Sequence, residues 1–476
     1  MLTFLSHIAS NMLFLLICGT ILVIMGSNSD SSKKIAWILI VALLPAVGVV
    51  LYVVFGLETR KPDYFLKNHR TFLETFEKYA DDSTKLLLFG KHTQDKIRPE
   101  YRELSRLLSC CNGTTVCEDN NIEIITSGKR KFEALVEDIK NARHHIHMEY
   151  FYFRKDDGSK EIKKLLMQKA REGVKVRFIH ENIANIAIDP HYYNEMKDAG
   201  VEVVKFTNPK FSLFKLNYRD HRKIVVIDGN IGYTGGMNIS DDYFIRWRDT
   251  HIRLTGNAVS SLQYSFMNSF ITSGGRIDED FAPYYPEHEA FEENDRLVQI
   301  VPDEPDSQWP ILLMGTTWTV QHTKDYIYIQ TPYFVPPESL LQALKTAALK
   351  GADVRIMIPQ KADLFFMGPV NKAYYKECLE AGVKIYEKTG RFIHSKTLVS
   401  DDYVSIVGTA NMDYRSLELN YEINSYIYDE NMARMNREIF FNDMKECHQI
   451  TLDEWNRRPW YHKALQVTLK LFSPLL

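Results

Sequence analysis

Two histidines, two lysines and two asparagines recur at a fixed distance in this chain. His221 and Lys223 are followed by Asp228, Gly235-Gly236 and Asn238, while His394 and Lys396 are followed by Asp401, Gly408-Thr409 and Asn411. Each member of the second set lies 173 positions after its counterpart, and the same offset relates Asp249 to Glu422. A lone histidine is ordinarily a hydrogen-bonded core or surface residue, but two complete sets at one offset reverse that reading. Two ammonium groups and two amides make a nest for a dianionic, trigonal-bipyramidal phosphoryl group, and they need no metal ion to do so. One imidazole attacks phosphorus and the other protonates the leaving oxygen, giving a phosphohistidine that an acceptor hydroxyl then releases. A carboxylate on the far ring nitrogen fixes the tautomer and stabilises the imidazolium. Asp249 and Glu422 are the matched candidates for that place. The residues alone do not order the two histidines.

The elements that must hold these groups follow from the local pattern. Ile224-Val225-Val226-Ile227 reads as a strand, so His221 and Lys223, two apart, share one face. Asp228-Gly229 predicts a hairpin turn, with Ile231–Thr234 as the return strand. Asp228 has the opposite parity to His221. It belongs to the catalytic motif, but its place at the corner favours a structural role, and Asp401 stands at the equivalent corner. Asn238 and Asn411 follow the return strands, where a turn aims an amide back at the histidine face. Around them strands and helices alternate. Lys131–Ala142, Glu161–Gly173 and Pro337–Gly351 are predicted helices; Ile122–Thr126, His145–Phe153, Val174–His180, Asp325–Gln330 and Val354–Ile358 are predicted strands. This rhythm predicts an α/β sheet covered by helices.

The first 57 residues differ from the rest. No Asp, Glu, Lys or Arg occurs from Met1 to Ser29, and a second uncharged run covers the 23 residues of Ile35–Leu57. About 20 residues of helix cross a hydrocarbon core. With no basic residue ahead of the first run, a two-helix anchor is expected rather than a cleaved signal peptide. Lys33 and Lys34 lie between the runs, and Arg60, Lys61, Lys67 and Arg70 follow them, which places the remainder on the cytoplasmic side. The expected division is a membrane anchor over 1–57, a helical linker over 58–118, and two repeated domains over 119–290 and 291–476.

The net charge of −3 lacks the basic excess of a nucleic-acid binder. The six cysteines make no metal-ligand spacing and read as reduced thiols. His144, His145 and His147 open a strand without acidic or thiol partners, so no metal site is expected there. Phe211–Leu216 is apolar and reads either as a loop touching acyl chains or as a buried helix end. From Trp455 to Leu471 aromatic, basic and apolar residues mix, as in an interfacial helix or a helix packed on the second domain.

The two H-x-K-x4-D-x6-G-x2-N motifs resemble those of the phospholipase D superfamily, and within it the chain resembles the bacterial cardiolipin synthases. Further blocks carry this likeness: Leu44-Pro45 and Phe55-Gly56 in the paired apolar runs, Trp247-Arg248-Asp249-Thr250-His251, Thr331-Pro332-Tyr333-Phe334-Val335-Pro336, Arg415-Ser416, and Asn420 with Glu422. After Val176-Arg177 many members carry Tyr-Asp where this chain has His180-Glu181, which keeps the acid but lengthens it. The resemblance implies two fused α/β sandwich domains with one active site at their interface. It implies His221 as nucleophile, His394 as general acid, phosphatidylglycerol and membrane lipids as partners, and no cofactor. The implied reaction joins two phosphatidylglycerol molecules into cardiolipin and releases glycerol. A hydrolytic phosphodiesterase shares the motif. A related transferase, with phosphatidylethanolamine as donor or serine as acceptor, would be told apart by an acceptor pocket that the sequence does not locate.

Overall fold

The computed structural model describes residues 2–27, 30–56, 63–90, 93–206, 218–288, 296–305, 307–364 and 367–473. Two mixed sheets form its centre. In the first, seven strands lie side by side in the order Asn120–Ile125, His251–Gly256, Ile231–Gly235, Lys223–Ile227, His145–Tyr150, Lys175–Glu181 and Glu202–Phe206. In the second, the inner seven are Leu297–Asp303, Glu422–Tyr428, Val404–Gly408, Thr397–Ser400, Tyr326–Gln330, Asp353–Pro359 and Lys384–Lys388. The histidine-bearing hairpins and the parallel βαβ strands hold the same places in both orders. The second sheet gains Val116–Cys117 at one edge and Cys447–Ile450 at the other.

Strands such as Lys223–Ile227 are apolar without alternation because both faces are covered. On one face of the first sheet lie the helices Gly128–Asn141 and Asp157–Arg171, which bury Leu135, Ile139, Ile162 and Leu166. On the other face the two sheets meet, and Ile224, Val226, Ile252 and Leu254 share a core with Val298, Ile300, Ile423 and Ile427. Arg222 pins the contact from within. Fully buried, it donates to Ser269 in the first half and to Glu304 and the Asp303 carbonyl in the second.

The stretch expected as a linker is instead built into both cores. Helix Asp63–Tyr79 buries Phe72 and Phe76 at the shared core, and Arg102–Asn112 buries Leu104 and Leu108 against the second sheet. The chain then enters that sheet as Val116–Cys117.

The opening helix covers Leu2–Gly26, and its side chains are described without a break only from Ser10 onward. The second apolar run is not one helix. It is Ser31–Leu43, then Pro45–Leu51, then a π-helical turn at Tyr52–Gly56. Pro45 has no N–H to continue the ladder. At this kink Gly48 meets the backbone of Ile40, whose carbonyl oxygen would stand 2.6 Å from a Cβ. Among the described residues, no helix is long and apolar enough to cross a membrane.

The contacts of the C-terminal segment are those of a helix packed on the rest of the molecule. Trp455 is buried against Tyr375, with ring centroids 4.8 Å apart. Helix Trp460–Phe472 packs on Met367–Lys372 and Ser31–Leu43, yet leaves Trp460, Tyr461 and Val467 exposed. The apolar run Phe211–Leu216 lies outside the described residues.

Candidate active site

Each half reaches into the other through a short parallel bridge. Asp220 pairs with Tyr421, and Ile393 pairs with Arg248. The His221 N–H donates to the Tyr421 carbonyl at 2.9 Å, and the His394 N–H donates to the Arg248 carbonyl at 2.7 Å. The residue after each of those carbonyls is an acid, so each acid arrives beside the other half's histidine. Glu422 sets both carboxylate oxygens 2.9 Å from His221 Nδ1. Asp249 sets Oδ2 2.7 Å from His394 Nδ1. With both Nδ1 atoms engaged, both Nε2 atoms are left for chemistry. Gly236 is required here, since a Cβ would stand 2.1 Å from Asp249 Oδ1.

Both histidines line one cavity of about 500 Å³, together with Asn238 and Asn411. Lys223 and Lys396 are buried beside it, each donating to the carbonyl of the histidine two residues earlier. Asn238 accepts from the Tyr152 N–H and donates to the Tyr243 hydroxyl at 2.9 Å. Asn411 donates to Ser416 Oγ at 3.1 Å, while its own Oδ1 is buried without a hydrogen-bond partner. The two tethers, Tyr243 and Ser416, are again 173 apart.

Burial dominates the electrostatics. It pushes His221 down to about 4 against the pull of Glu422, and His394 well below its ordinary value. Burial also pushes Lys223 down to about 7 and Lys396 down to about 8. The acids differ. Burial lifts Asp249 to about 6, whereas His221 and Lys223 outweigh burial at Glu422 and hold it below the usual carboxylate value. At neutral pH each imidazole is thus neutral and donates its Nδ1–H to an ionised acid. A bound phosphodiester supplies the negative charge that favours protonated lysines and an imidazolium.

Asp228 and Asp401 stand apart from this cavity. Both occupy left-handed corners, with φ of 53° and 49°. Asp228 accepts the N–H groups of Arg143, His144 and His145; Asp401 accepts those of Lys324, Asp325 and Tyr326. Each clamps a helix-to-strand entry. His145 and His147 share Gln263 at 3.1 Å, and no group of three or more His, Cys, Asp or Glu suited to a metal ion occurs among the described residues.

Several cavity residues carried no role in the sequence reading, although Trp247, Tyr333, Arg415, Asn420 and Phe55 stood in its resemblance blocks. Trp247 lies over His394 with ring centroids 4.7 Å apart, and Phe151 meets His221 edge-on at 5.0 Å. Glu181 grips Arg219 through two hydrogen bonds of 2.8 and 2.9 Å. Tyr333 donates to Asp363, and Arg415 and Asn420 complete a polar wall. Phe55, from the π-helical turn, reaches the same cavity. Arg219 shares the parity of His221, which was the one signal available for it.

Comparison with known proteins bears on this site. The sequence matches the family described as "Cardiolipin synthase, PLD-like domain" over residues 135–269 and 318–444. It matches the "Phospholipase D-nuclease N-terminal" family over 14–56. It is 36% identical to the cardiolipin synthase of Halalkalibacterium halodurans, over 96% of this chain and 91% of that one. It is 35% identical to the major cardiolipin synthase of Bacillus subtilis, over 99% of both. The fold is similar to the crystal structure of a phosphatidylserine synthase from Haemophilus influenzae. That match has a TM-score of 0.59 and 15% identity, covering 79% of this chain and all of the other.

Proposed function

The chain belongs to the cardiolipin synthase family of phospholipase D-like proteins, and from that premise we propose that it transfers a phosphatidyl group between two phosphatidylglycerol molecules, giving cardiolipin and glycerol. The observation that supports this best is the crossing of the two histidine–acid pairs over one cavity. His221 Nε2 attacks phosphorus and forms an N–P bond. The P–O bond to the head-group glycerol breaks, and that oxygen takes the Nε2 proton of His394, which the bound phosphodiester has favoured as an imidazolium. A hydroxyl of the second phosphatidylglycerol then gives its proton to His394 and attacks phosphorus, and the N–P electron pair returns to His221. Lys223, Lys396, Asn238 and Asn411 hold the phosphoryl oxygens as charge builds. Glu422 and Asp249 keep each imidazole in the tautomer that presents Nε2 and stabilise its cationic form.

Transfer requires the acceptor alcohol to outcompete water. We place the opening helices in the bilayer, as a multi-pass anchor with the two repeated domains, 119–290 and 291–476, on the cytoplasmic side. The uncharged sequence of the first helix, the exposed Phe14, Leu15 and Leu22, and Phe55 at the cavity wall support that placement. A cavity opening toward lipid excludes water and concentrates acceptor. The test is a product balance in mixed micelles, with phosphatidylglycerol labelled separately in its phosphate and its head-group glycerol. One glycerol released per cardiolipin is the expected result. Phosphatidic acid formed without cardiolipin would make the protein a hydrolase.

A further inference from the structure

We propose that the cavity holds a second anion subsite, built from Arg219 and Arg415, that binds the phosphodiester of the acceptor lipid. This rests on the reading that the acceptor is phosphatidylglycerol. In that reaction the acceptor brings its own negative charge toward a phosphohistidine that is already negative. The phosphoryl nest of two lysines is then occupied, so a second anion needs cations outside the nest.

The repeat shows where they are. The offset of 173 that pairs every member of the phosphoryl nest pairs Arg219 with Phe392 and Arg415 with Asp242. Neither guanidinium has a cationic counterpart, so neither belongs to the duplicated machinery. Yet both line the same cavity as His221 and His394. One turn sets the two together. The Arg415 carbonyl accepts the N–H groups of Leu419 and Asn420, and the next residue, Tyr421, donates its N–H to the Arg219 carbonyl. Glu181 fixes Arg219 through Nε and one terminal nitrogen, which presets the plane of the fork. The Phe151 ring spans the gap to the chemistry, with the Arg219 guanidinium and the Lys223 ammonium each 5.5 Å from its centroid and the His221 ring at 5.0 Å.

Two further features fit a glycerol phosphodiester. The Oδ1 atoms of Asn411 and Asn420 are buried in this wall without hydrogen-bond partners, and acceptors of that kind suit glyceryl hydroxyls. Burial holds Arg415 below the ordinary guanidinium value; Asp413 opposes this and the charge of Arg219 adds to it. An anion between the two guanidiniums relieves that repulsion.

The experiment separates a charged acceptor from a neutral one while keeping the donor step common. Full-length protein in mixed micelles of phosphatidylglycerol receives radiolabelled glycerol. Cardiolipin reports transfer to an anionic acceptor, and label entering phosphatidylglycerol reports transfer to uncharged glycerol. In Arg415→Gln the ratio of cardiolipin to exchanged glycerol is expected to fall at least about tenfold. Arg219→Lys keeps Glu181 paired but loses the fork, and its ratio is expected to fall about threefold or more. A ratio unchanged in both variants overturns the subsite, even where overall rates drop. Wild-type protein that exchanges glycerol but forms no cardiolipin overturns the premise instead, a result readable before any variant is made.

Discussion

The surroundings of the two histidines differ more than the histidines themselves. His394 sits in an aromatic pocket, with Trp247, Tyr243 and Phe392 at centroid distances of 4.7, 6.0 and 6.1 Å. His221 touches Phe151 but shares its wall with Arg219, Arg415 and Asn420. The repeat position of Trp247 is Asn420. Their acids differ as well, since Glu422 offers two oxygens and stays readily ionised while the shorter Asp249 offers one and is lifted to about 6. Duplication has kept what a phosphoryl group needs from both sides, namely histidine, lysine, asparagine and an acid. It has let go of symmetry around them, so that one half surrounds its histidine with aromatic rings while the other adds cations to the shared cavity.

The sharpest way to break the comparison is to delete each histidine in turn. His221→Ala and His394→Ala are both expected to lose transfer by roughly 10⁴-fold or more, as members of a unit do. They differ in what accumulates. A sluggish His394→Ala enzyme still forms the N–P bond, so rapid-quench mass spectrometry should find a phosphatidyl group on His221. A phosphatidyl group on residue 394 of a His221 variant would exchange the two roles, and near-normal turnover by either variant would end the two-histidine scheme.

The acid difference sharpens the comparison through pH. As pH falls through about 6, Asp249 takes up a proton and His394 loses the anion that steadies its imidazolium, so kcat/KM should fall on that side. Glu422 is held below its ordinary value and remains ionised there. As pH rises past about 7 to 8, Lys223 and Lys396 lose their charges and phosphodiester binding weakens, which gives the alkaline limb. Asp249→Asn is expected to cost roughly 10²- to 10⁴-fold in rate and to flatten the acid limb. An acid limb that persists in Asp249→Asn and vanishes in Glu422→Gln would reverse the assignment.

The sequence disclosed the pieces of this site better than their partnerships. The offset of 173 picked out His221, His394, both lysines, both asparagines and the two acids, because a repeat is visible in one dimension. That Glu422 serves His221 was not legible. The pairing depends on the Asp220–Tyr421 and Ile393–Arg248 bridges, which join residues about as far apart as the repeat itself. The segment after residue 58 misled for a different reason. Phe72, Phe76, Leu88, Leu104 and Leu108 divide between two cores, so no single helical period gathers them. The second apolar run is uncharged throughout, yet Pro45, with no N–H for the ladder, marks in the sequence the place where its helix breaks. Strand parity, by contrast, located Asp228 at its corner without any structure.

That corner supplies the test with the smallest expected effect on turnover. Asp228 and Asp401 each gather three backbone N–H groups from the start of a strand, one in each half, and neither lines the cavity. Asparagine tolerates the left-handed conformation both residues adopt, so Asp228→Asn and Asp401→Asn change the clamp with little backbone strain. Each is expected to lower stability by about 1–3 kcal/mol, read as a lower melting temperature, with kcat within about twofold of wild type. A tenfold fall in kcat in a folded variant would return that carboxylate to the chemistry. The pair also probes the symmetry of the scaffold. Two like clamps on sheets that share one core should cost alike and melt in one transition, whereas a second transition in only one variant would show that the halves unfold separately despite the core they share.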